Sequence, residues 1–524
     1  MSNRDTETLW HYHDTTKHSY QSIRTGGHYL DWTNHPLPFK IYSDLEPIPL
    51  PREWNESGPN SQMDALSAIS AFGSGTEPES APDLRTLPSI LHHSAGITRR
   101  RQYAGGEIYF RAAACTGALY EVELYLVCGP LPDLEAGLYH FNAADFALRR
   151  LRSGDWRGFL ARATANEPAI AHAPVTIVCT GTYWRNAWKY QARTYRHFFW
   201  DNGTMLANLL AMAAALRLPA RLVMGFADQD VNQLLDLDTQ REVAISLVAL
   251  GRSPNPAPDS PGQIVPLDLK TVALSKSEVD YPLMREAHAA SSLGTVEEVR
   301  NWRGRTAVLA EPERASTTCD LKPLAASDLP SDTIEQVILR RGSSRRFARA
   351  PIRFEQLSTM LVRATQEIPA DFLDPTGSRL PGSRLNDIYL IVNAVDGLPT
   401  GAYYLRRDQP QLELLKEGQF RDQAGYLGLE QALPADAAVA IFFLADLKEI
   451  FARYGNRGYR AAQIEAGIIG GKLYVAAYAQ KLGATGLTFF DDDVTNFFSP
   501  HAAGKSAIFL VAIGVPAKQR LRLV

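Results

Sequence analysis

Arg193-Thr194-Tyr195-Arg196, followed by Asp201 and Gly203, returns as Arg457-Gly458-Tyr459-Arg460, followed by Glu465 and Gly467. Every pair stands 264 positions apart, from 193 to 457 and from 203 to 467. The same offset carries Glu123-Leu124-Tyr125-Leu126 onto Asp387-Ile388-Tyr389-Leu390 and Gly137-x-Tyr139 onto Gly401-x-Tyr403. It also carries Leu148, Leu151 and Gly154 onto Leu412, Leu415 and Gly418, and no gap is needed between 123 and 208. So many matches at one spacing identify a duplicated domain.

Each copy repeats one order of elements. An alternating apolar strand (Val122–Cys128; Ile388–Val392) leads through a Gly-x-Tyr turn into a second extended run, and a buried strand follows (Val175–Cys179; Ala438–Leu444). Tyr195–Leu216 and Tyr459–Lys481 are long, mostly apolar and rich in Ala, which predicts helices buried around most of their circumference. Val243–Leu250 and Ala507–Ile513 are β-branched apolar strands that end on Gly251 and Gly514. The fold class is α+β: two tandem domains, each a mixed β-sheet with flanking helices.

Pro254, Pro256, Pro258 and Pro261 within Arg252–Gly262 disfavour both helix and central strand and mark the boundary between copies. The chain divides into an N-terminal extension (1–61), a first copy (62–252), a proline-rich linker and bridge (253–330) and a second copy (331–524). One helix is expected in the bridge, around Val296–Trp302, and the bridge is read as a connection wrapping the domains.

Bulk composition excludes several classes of function. Of 524 residues, 45% are apolar and 21% charged, with a net charge of −3, so no general field recruits nucleic acid or an anionic membrane. Cys115, Cys128, Cys179 and Cys319 are too scattered for a zinc site, and no structural metal is expected. The N-terminal residues carry no apolar signal segment, and Met205–Leu216 is too short to span a bilayer. A cytoplasmic protein with reduced thiols is expected.

Arg340-Arg341-Gly342-Ser343-Ser344-Arg345-Arg346-Phe347, with Pro351-Ile352 and Glu355-Gln356-Leu357 following, resembles the opening signature of the nitroreductase superfamily. In that family the Arg/Ser cluster holds the phosphate and ribityl chain of FMN; arginine suits phosphate through forked, charge-assisted hydrogen bonds. Arg111-Ala112-Ala113-Ala114-Cys115-Thr116-Gly117-Ala118-Leu119-Tyr120-Glu121-Val122-Glu123 resembles the Ser-Ala-Gly-Ala-Leu-Tyr-Pro-x-Glu segment of its SagB/ThcOx-type dehydrogenases, with Cys115, Thr116 and Glu121 as departures. The text from Tyr12 to Ser19, Leu30-Asp31-Trp32 and Pro47–Pro51 is similar to the same branch.

Superfamily members are dimers with FMN at the interface, one motif from each subunit. Here each copy lacks what the other retains. The offset sets Cys115–Tyr120 on Arg379–Arg384, where the Ala-Leu-Tyr pattern is lost, and the first copy reads Ala68-Ile69-Ser70-Ala71-Phe72-Gly73-Ser74 where arginines are due. The resemblance therefore implies an intramolecular pseudo-dimer with one composite FMN site and a second that is degenerate. Arg341, Ser343 and Arg345 come from the second copy, and Cys115, Thr116 and Gly117 from the first. A Gly-Phe-Asp segment usually brings backbone amides to flavin N5. The first copy keeps Gly225-Phe226 followed by Asp228, whereas the second reads Thr488-Phe489-Phe490-Asp491, so the amides of Thr488 and Phe489 are left to donate while a phenyl ring narrows the substrate space.

Azole-forming members of the branch use a Lys-Tyr pair to remove a proton while hydride passes to flavin, and Lys189-Tyr190 occupies that place. A surface-solvated Lys189 is the alternative. Tyr195, Arg196, Tyr459 and Arg460 are expected to tie the long helices to their neighbours, Cys115 to pack, and His197 to be a satisfied core histidine. Three functions stay open: an FMN-dependent dehydrogenase acting on an azoline-type or peptide-type substrate, an NAD(P)H-dependent nitro or quinone reductase, and a non-catalytic flavin-binding scaffold working with peptide-modifying enzymes. The pseudo-dimer is expected as a monomer or a higher homo-oligomer.

Overall fold

The computed structural model describes residues 2–52, 61–71, 79–103, 106–259, 262–303, 317–373 and 384–517. It contains two seven-stranded sheets with the same strand order. The first runs Ile48–Pro49, Ala147–Ser153, Gly137–Asn142, Val122–Cys128, Val175–Thr182, Glu242–Leu250, Ala220–Val223 from edge to edge. The second runs Thr318–Asp320, Gln411–Glu417, Gly401–Arg406, Asp387–Val392, Val439–Ala445, Ser506–Gly514, Gly483–Leu487. Pairings within both sheets are antiparallel; parallel pairing enters where Ala370 meets Leu222, where Leu293 meets Ala227 and where Ile352–Arg353 meets Val395–Asp396. Their central strands are buried from end to end, as expected of apolar runs covered on both faces.

The core helices Thr194–Ala215 and Arg457–Ala479 cross at the centre, buried along nearly their whole length. Small residues allow the crossing. A Cβ added to Gly203 would lie 2.7 Å from the backbone of Gly467, and one added to Gly471 would lie 2.6 Å from Ala207 Cβ. Gly203 and Gly467 occupy the same position in their copies, so the approach lies on a pseudo-two-fold axis. The interface is isologous within a single chain.

The repeated Arg-x-Tyr-Arg motif clamps this interface reciprocally. Asp491 of the second copy meets Arg193 at 3.1 Å and Arg196 at 2.7 Å; Asp228 of the first copy meets Arg457 at 2.8 Å and Arg460 at 2.7 Å. Burial pushes each carboxyl upward, but the paired guanidinium groups hold both at about 2. The structural role expected for Arg196 and Arg460 is the one they have.

The bridge holds more structure than the one helix expected of it. Besides the helix Val296–Arg303 it contains the helix Pro282–Ala290, which makes the same contacts as Glu7–Thr15 of the N-terminal extension. Arg196 donates to His13 O and Thr16 Oγ1, and Arg460 to His288 O and Ser291 Oγ. The amide of His18 donates to Asp491 at 2.8 Å and that of Leu293 to Asp228 at 2.9 Å. Ile48–Pro49 and Thr318–Asp320 likewise fill equivalent sheet edges, paired with Ala147–Leu148 and Gln411–Glu413. The bridge thus repeats the extension.

Candidate functional site

The turn Arg341–Arg346 leaves the helix Ile334–Arg340 and lies against the first copy. The guanidinium of Arg341 is buried and donates from Nε to Ala112 O at 2.9 Å and from Nη2 to Arg111 O at 3.1 Å. It therefore joins the second copy's arginine turn to the segment that leads into Cys115. Ser343 Oγ lies 3.3 Å from the hydroxyl of Tyr474, which also receives the amide of Gly486, two residues before Thr488. Tyr474 thus links the turn to the strand end carrying Thr488, a contact that no sequence pattern announced.

Arg345 is exposed, and its charge acts on both Lys189 and Tyr190 of the first copy. Lys189 is half-buried at the end of the helix Tyr183–Tyr190, with Nζ 5.2 Å from the centre of the Tyr190 ring. Burial first, and Arg345 second, lower its pKa. Burial first, then the Asp201 and Cys115 side chains, raise that of Tyr190, which keeps its proton. Gly117 packs on the same phenol: its φ of +65° suits glycine, and an added Cβ would stand 3.0 Å from the Tyr190 hydroxyl. Residues from both copies therefore come together around Tyr190, and a small gap of about 30 Å³ opens beside Cys115, Tyr120 and Asp201.

Cys115 and Thr116 are anchored from below by Asp201 of the core helix. The Thr116 amide donates to both carboxylate oxygens at 3.0 and 2.9 Å, its hydroxyl donates at 2.9 Å, and the Cys115 thiol lies 3.3 Å from Oδ2. The matching Glu465 accepts from the Leu385 amide and Asn386 Nδ2, so the Asp/Glu pair of the repeat orients the entry to the same strand in each copy. Cys115, Glu121 and Asp201 bring ligand atoms within 4.8 Å of one another. Asp201 is engaged by Thr116, and burial first and Glu121 second push its carboxyl well up. Burial pushes the Cys115 thiol up as well, which suits packing better than nucleophilic attack.

The phenyl ring of Phe489 does not narrow the substrate space, contrary to the expectation. It is fully buried, with its centroid 6.2 Å from that of Trp200 and the Arg193 guanidinium 5.5 Å away. Phe226 of the first copy packs the same way beneath Arg457, at 4.3 Å. The ring anchors the interface, and the neighbouring Thr488 has a buried hydroxyl with no hydrogen-bond partner. His197 is satisfied by Asn186 Oδ1 at 2.8 Å. Arg379–Ser383 and Phe72–Ser74, which carried the inference of complementary loss, lie outside the described residues. Clefts of about 790 and 870 Å³ lie elsewhere, the first beside Glu167, Arg303 and Asp371 and the second beside Asp228 and His288. Among the described residues no helix is long and apolar enough to cross a membrane.

Two copies of one mixed sheet-and-helix domain, packed through a central helix pair, define the class. The nitroreductase family model matches residues 87–252 and 338–515, and the chain belongs to the nitroreductase family. A crystal structure of a protein from Anabaena variabilis, named as a nitroreductase, is similar over 97% of this chain and 99% of that one, with a TM-score of 0.75 and 27% identity. The protein MJ1384 of Methanocaldococcus jannaschii, also named as a nitroreductase, is 26% identical over 169 residues, 32% of this chain and 80% of its own length. The trifolitoxin-processing protein TfxB of Rhizobium leguminosarum bv. trifolii is 29% identical over 198 residues, 36% of this chain and 52% of its own. The chain thus matches about half the length of TfxB, a relative that agrees with the SagB/ThcOx-type resemblance of Arg111–Glu123.

Proposed function

We propose that this site holds one FMN per chain and that the protein is an FMN-dependent oxidoreductase acting on an azoline-type or peptide-type substrate. The reading is carried by the meeting of Arg345 from one copy with Lys189 and Tyr190 from the other. The residues fit the cofactor: Arg345 is an exposed cation, Ser343 offers a hydroxyl, and Thr488 Oγ1 is a buried polar atom awaiting a partner. Similarity to the trifolitoxin-processing protein supports a peptide-type substrate and peptide-modifying partners.

When bound, FMN supplies hydride acceptance. Arg345 and Ser343 would hold its phosphate and ribityl chain, while Arg341 holds their turn against Arg111 and Ala112. The backbone of Cys115, Thr116 and Gly117 and the amides of Thr488 and Phe489 would complete its binding. Lys189 Nζ takes the substrate proton, because burial and Arg345 make its neutral form available at lower pH than in an ordinary lysine. Tyr190, kept protonated, donates a hydrogen bond that orients the substrate. Anaerobic addition of a synthetic thiazoline peptide tests this: the flavin band, at about 450 nm by the cofactor's own chemistry, bleaches as the azole forms. FMN-loaded protein that bleaches with NADPH and regains its colour when a quinone is added, but does not bleach with the peptide, favours the reductase reading instead.

A further inference from the structure

The pseudo-two-fold axis generates a second cleft, between the Met224–Asp228 turn of the first copy and Arg453-Tyr454 of the second. Gly225 stands there for Thr488, and Tyr454 for Tyr190. Their surroundings are quite different. Between them lies the indole of Trp302, 1% exposed: a Cβ on Gly225 would be 3.2 Å from its Cε3, and its ring centroid is 5.9 Å from that of Tyr454. The amides of Met224 and Gly225 both donate to the carboxylate of Asp371, at 2.8 and 2.9 Å.

Further contacts hold these groups in place. Arg303 donates from Nη2 to Gly225 O at 2.8 Å and reaches Asp371 and Glu167 through Nε at 3.5 and 3.1 Å. The segment carrying Asp371 is added to the free edge of the first sheet, with Leu222 N donating to Pro369 O at 2.7 Å and Asp371 N to Leu222 O at 3.1 Å. The Tyr454 hydroxyl donates to Phe372 O at 3.1 Å. A buried aromatic plane and a carboxylate that accepts from successive backbone amides are the two features of a bound ring with a hydrogen-bonding edge.

We infer that the second cofactor locus is retained and is filled by the chain itself, Trp302 standing for a flavin ring and Asp371 for its acceptor edge. The locus takes a planar aromatic heterocycle with adjacent hydrogen-bond acceptors. The sequence Ala68–Ser74 has no arginine where the other copy has Arg341 and Arg345, so a terminal phosphate adds little there. The inference rests on the reading that the first cleft holds flavin, and it extends that reading by explaining why the duplication yields one working site. The cleft of about 790 Å³ lined by Arg303, Glu367 and Asp371 gives the locus a route to solvent.

The test is flavin stoichiometry in the full-length chain, first saturated with FMN and then titrated with riboflavin. Wild type and Trp302→Phe, which keeps an aromatic in place, bind one flavin. The double variant Trp302→Ala, Asp371→Asn takes a second, and binds riboflavin there no more than about threefold more weakly than FMN. If the double variant fails to fold cooperatively, Trp302→Ala alone is titrated against Trp302→Phe. A folded variant that still saturates at one flavin, or a wild type that takes two, overturns the inference. Wild type that binds none while the variant binds one leaves it standing and defeats the reading of the first cleft. A variant that binds none defeats it.

Discussion

Gly203 and Gly467 face each other where the two core helices cross, so closely that a Cβ on either would lie 2.7 to 3.0 Å from the other's Cα. The identity of the copies at this point lets them pack about a pseudo-two-fold axis within one chain. Gly203→Val and Gly467→Val force the helices apart. Overpacking a well-filled core costs about 1–3 kcal/mol, occasionally more. Denaturant unfolding is expected to place each variant at or beyond the upper end of that range, and a loss below 0.5 kcal/mol (of the order of a neutral surface change) would contradict the crossing.

Asp228 and Asp491 make the halves sensitive to acid. Each has a folded pKa of about 2, below the usual carboxylate range, because paired arginines outweigh burial. A depressed pKa contributes stability that is present above the unfolded value and lost as pH falls through the folded one, here from about pH 5 to about pH 2. By linkage the contribution is about 2–3 kcal/mol per carboxylate. Asp491→Asn leaves Arg193 and Arg196 buried without a counter-charge and is expected to cost about 3–5 kcal/mol at pH 7, shrinking toward pH 2. Stability measured across that pH range checks the sign.

Arg345 and Arg341, four residues apart, separate binding from architecture. Losing one charged hydrogen bond to phosphate costs about 1.5–3 kcal/mol, so Arg345→Ala is expected to weaken FMN binding by roughly 10- to 100-fold while leaving riboflavin binding nearly unchanged. Arg341→Ala removes the link to Arg111 and Ala112 and lowers the unfolding temperature as well. Fluorescence titration with both flavins, alongside thermal unfolding, distinguishes the two.

Lys189→Ala is expected to retain FMN yet lose roughly 10²- to 10⁴-fold in the rate at which a thiazoline peptide bleaches it, the usual worth of a positioned proton acceptor. Lys189→Arg keeps the charge without a usable base and does no better. In wild type the rate rises with pH through a pKa below that of an ordinary lysine, because burial and Arg345 disfavour the protonated form. Rates in Lys189→Ala within a factor of about three of wild type would remove Lys189 from the chemistry.

The duplication was readable because buried strands and helices keep their side chains in register: the 264 spacing set strand on strand from 137 to 250 and from 401 to 514. It slips by one residue across the strand Ala220–Val223, the turn that follows it and the helix from Asp228, which match Gly483–Leu487 and the helix from Asp491 at a spacing of 263. The equivalence of the extension and the bridge was not readable. It rests on His13 and His288, Thr16 and Ser291, and on backbone groups of His18 and Leu293, and backbone contacts leave no mark on residue type. The position of the Phe489 ring was not readable because a Gly-Phe-Asp comparison does not show that Arg193 lies against that ring. Trp302 and Asp371 were missed because filling a degenerate cleft needs no motif, only an apolar ring and a carboxylate in reach.

Flavin content per chain is the most direct measure of a single composite site. Protein reconstituted with excess FMN, desalted, and quantified for flavin released on denaturation against protein by amino-acid analysis should give one FMN per chain, and Arg345→Ala should carry less than half of that. Two FMN per chain, or none, would contradict it.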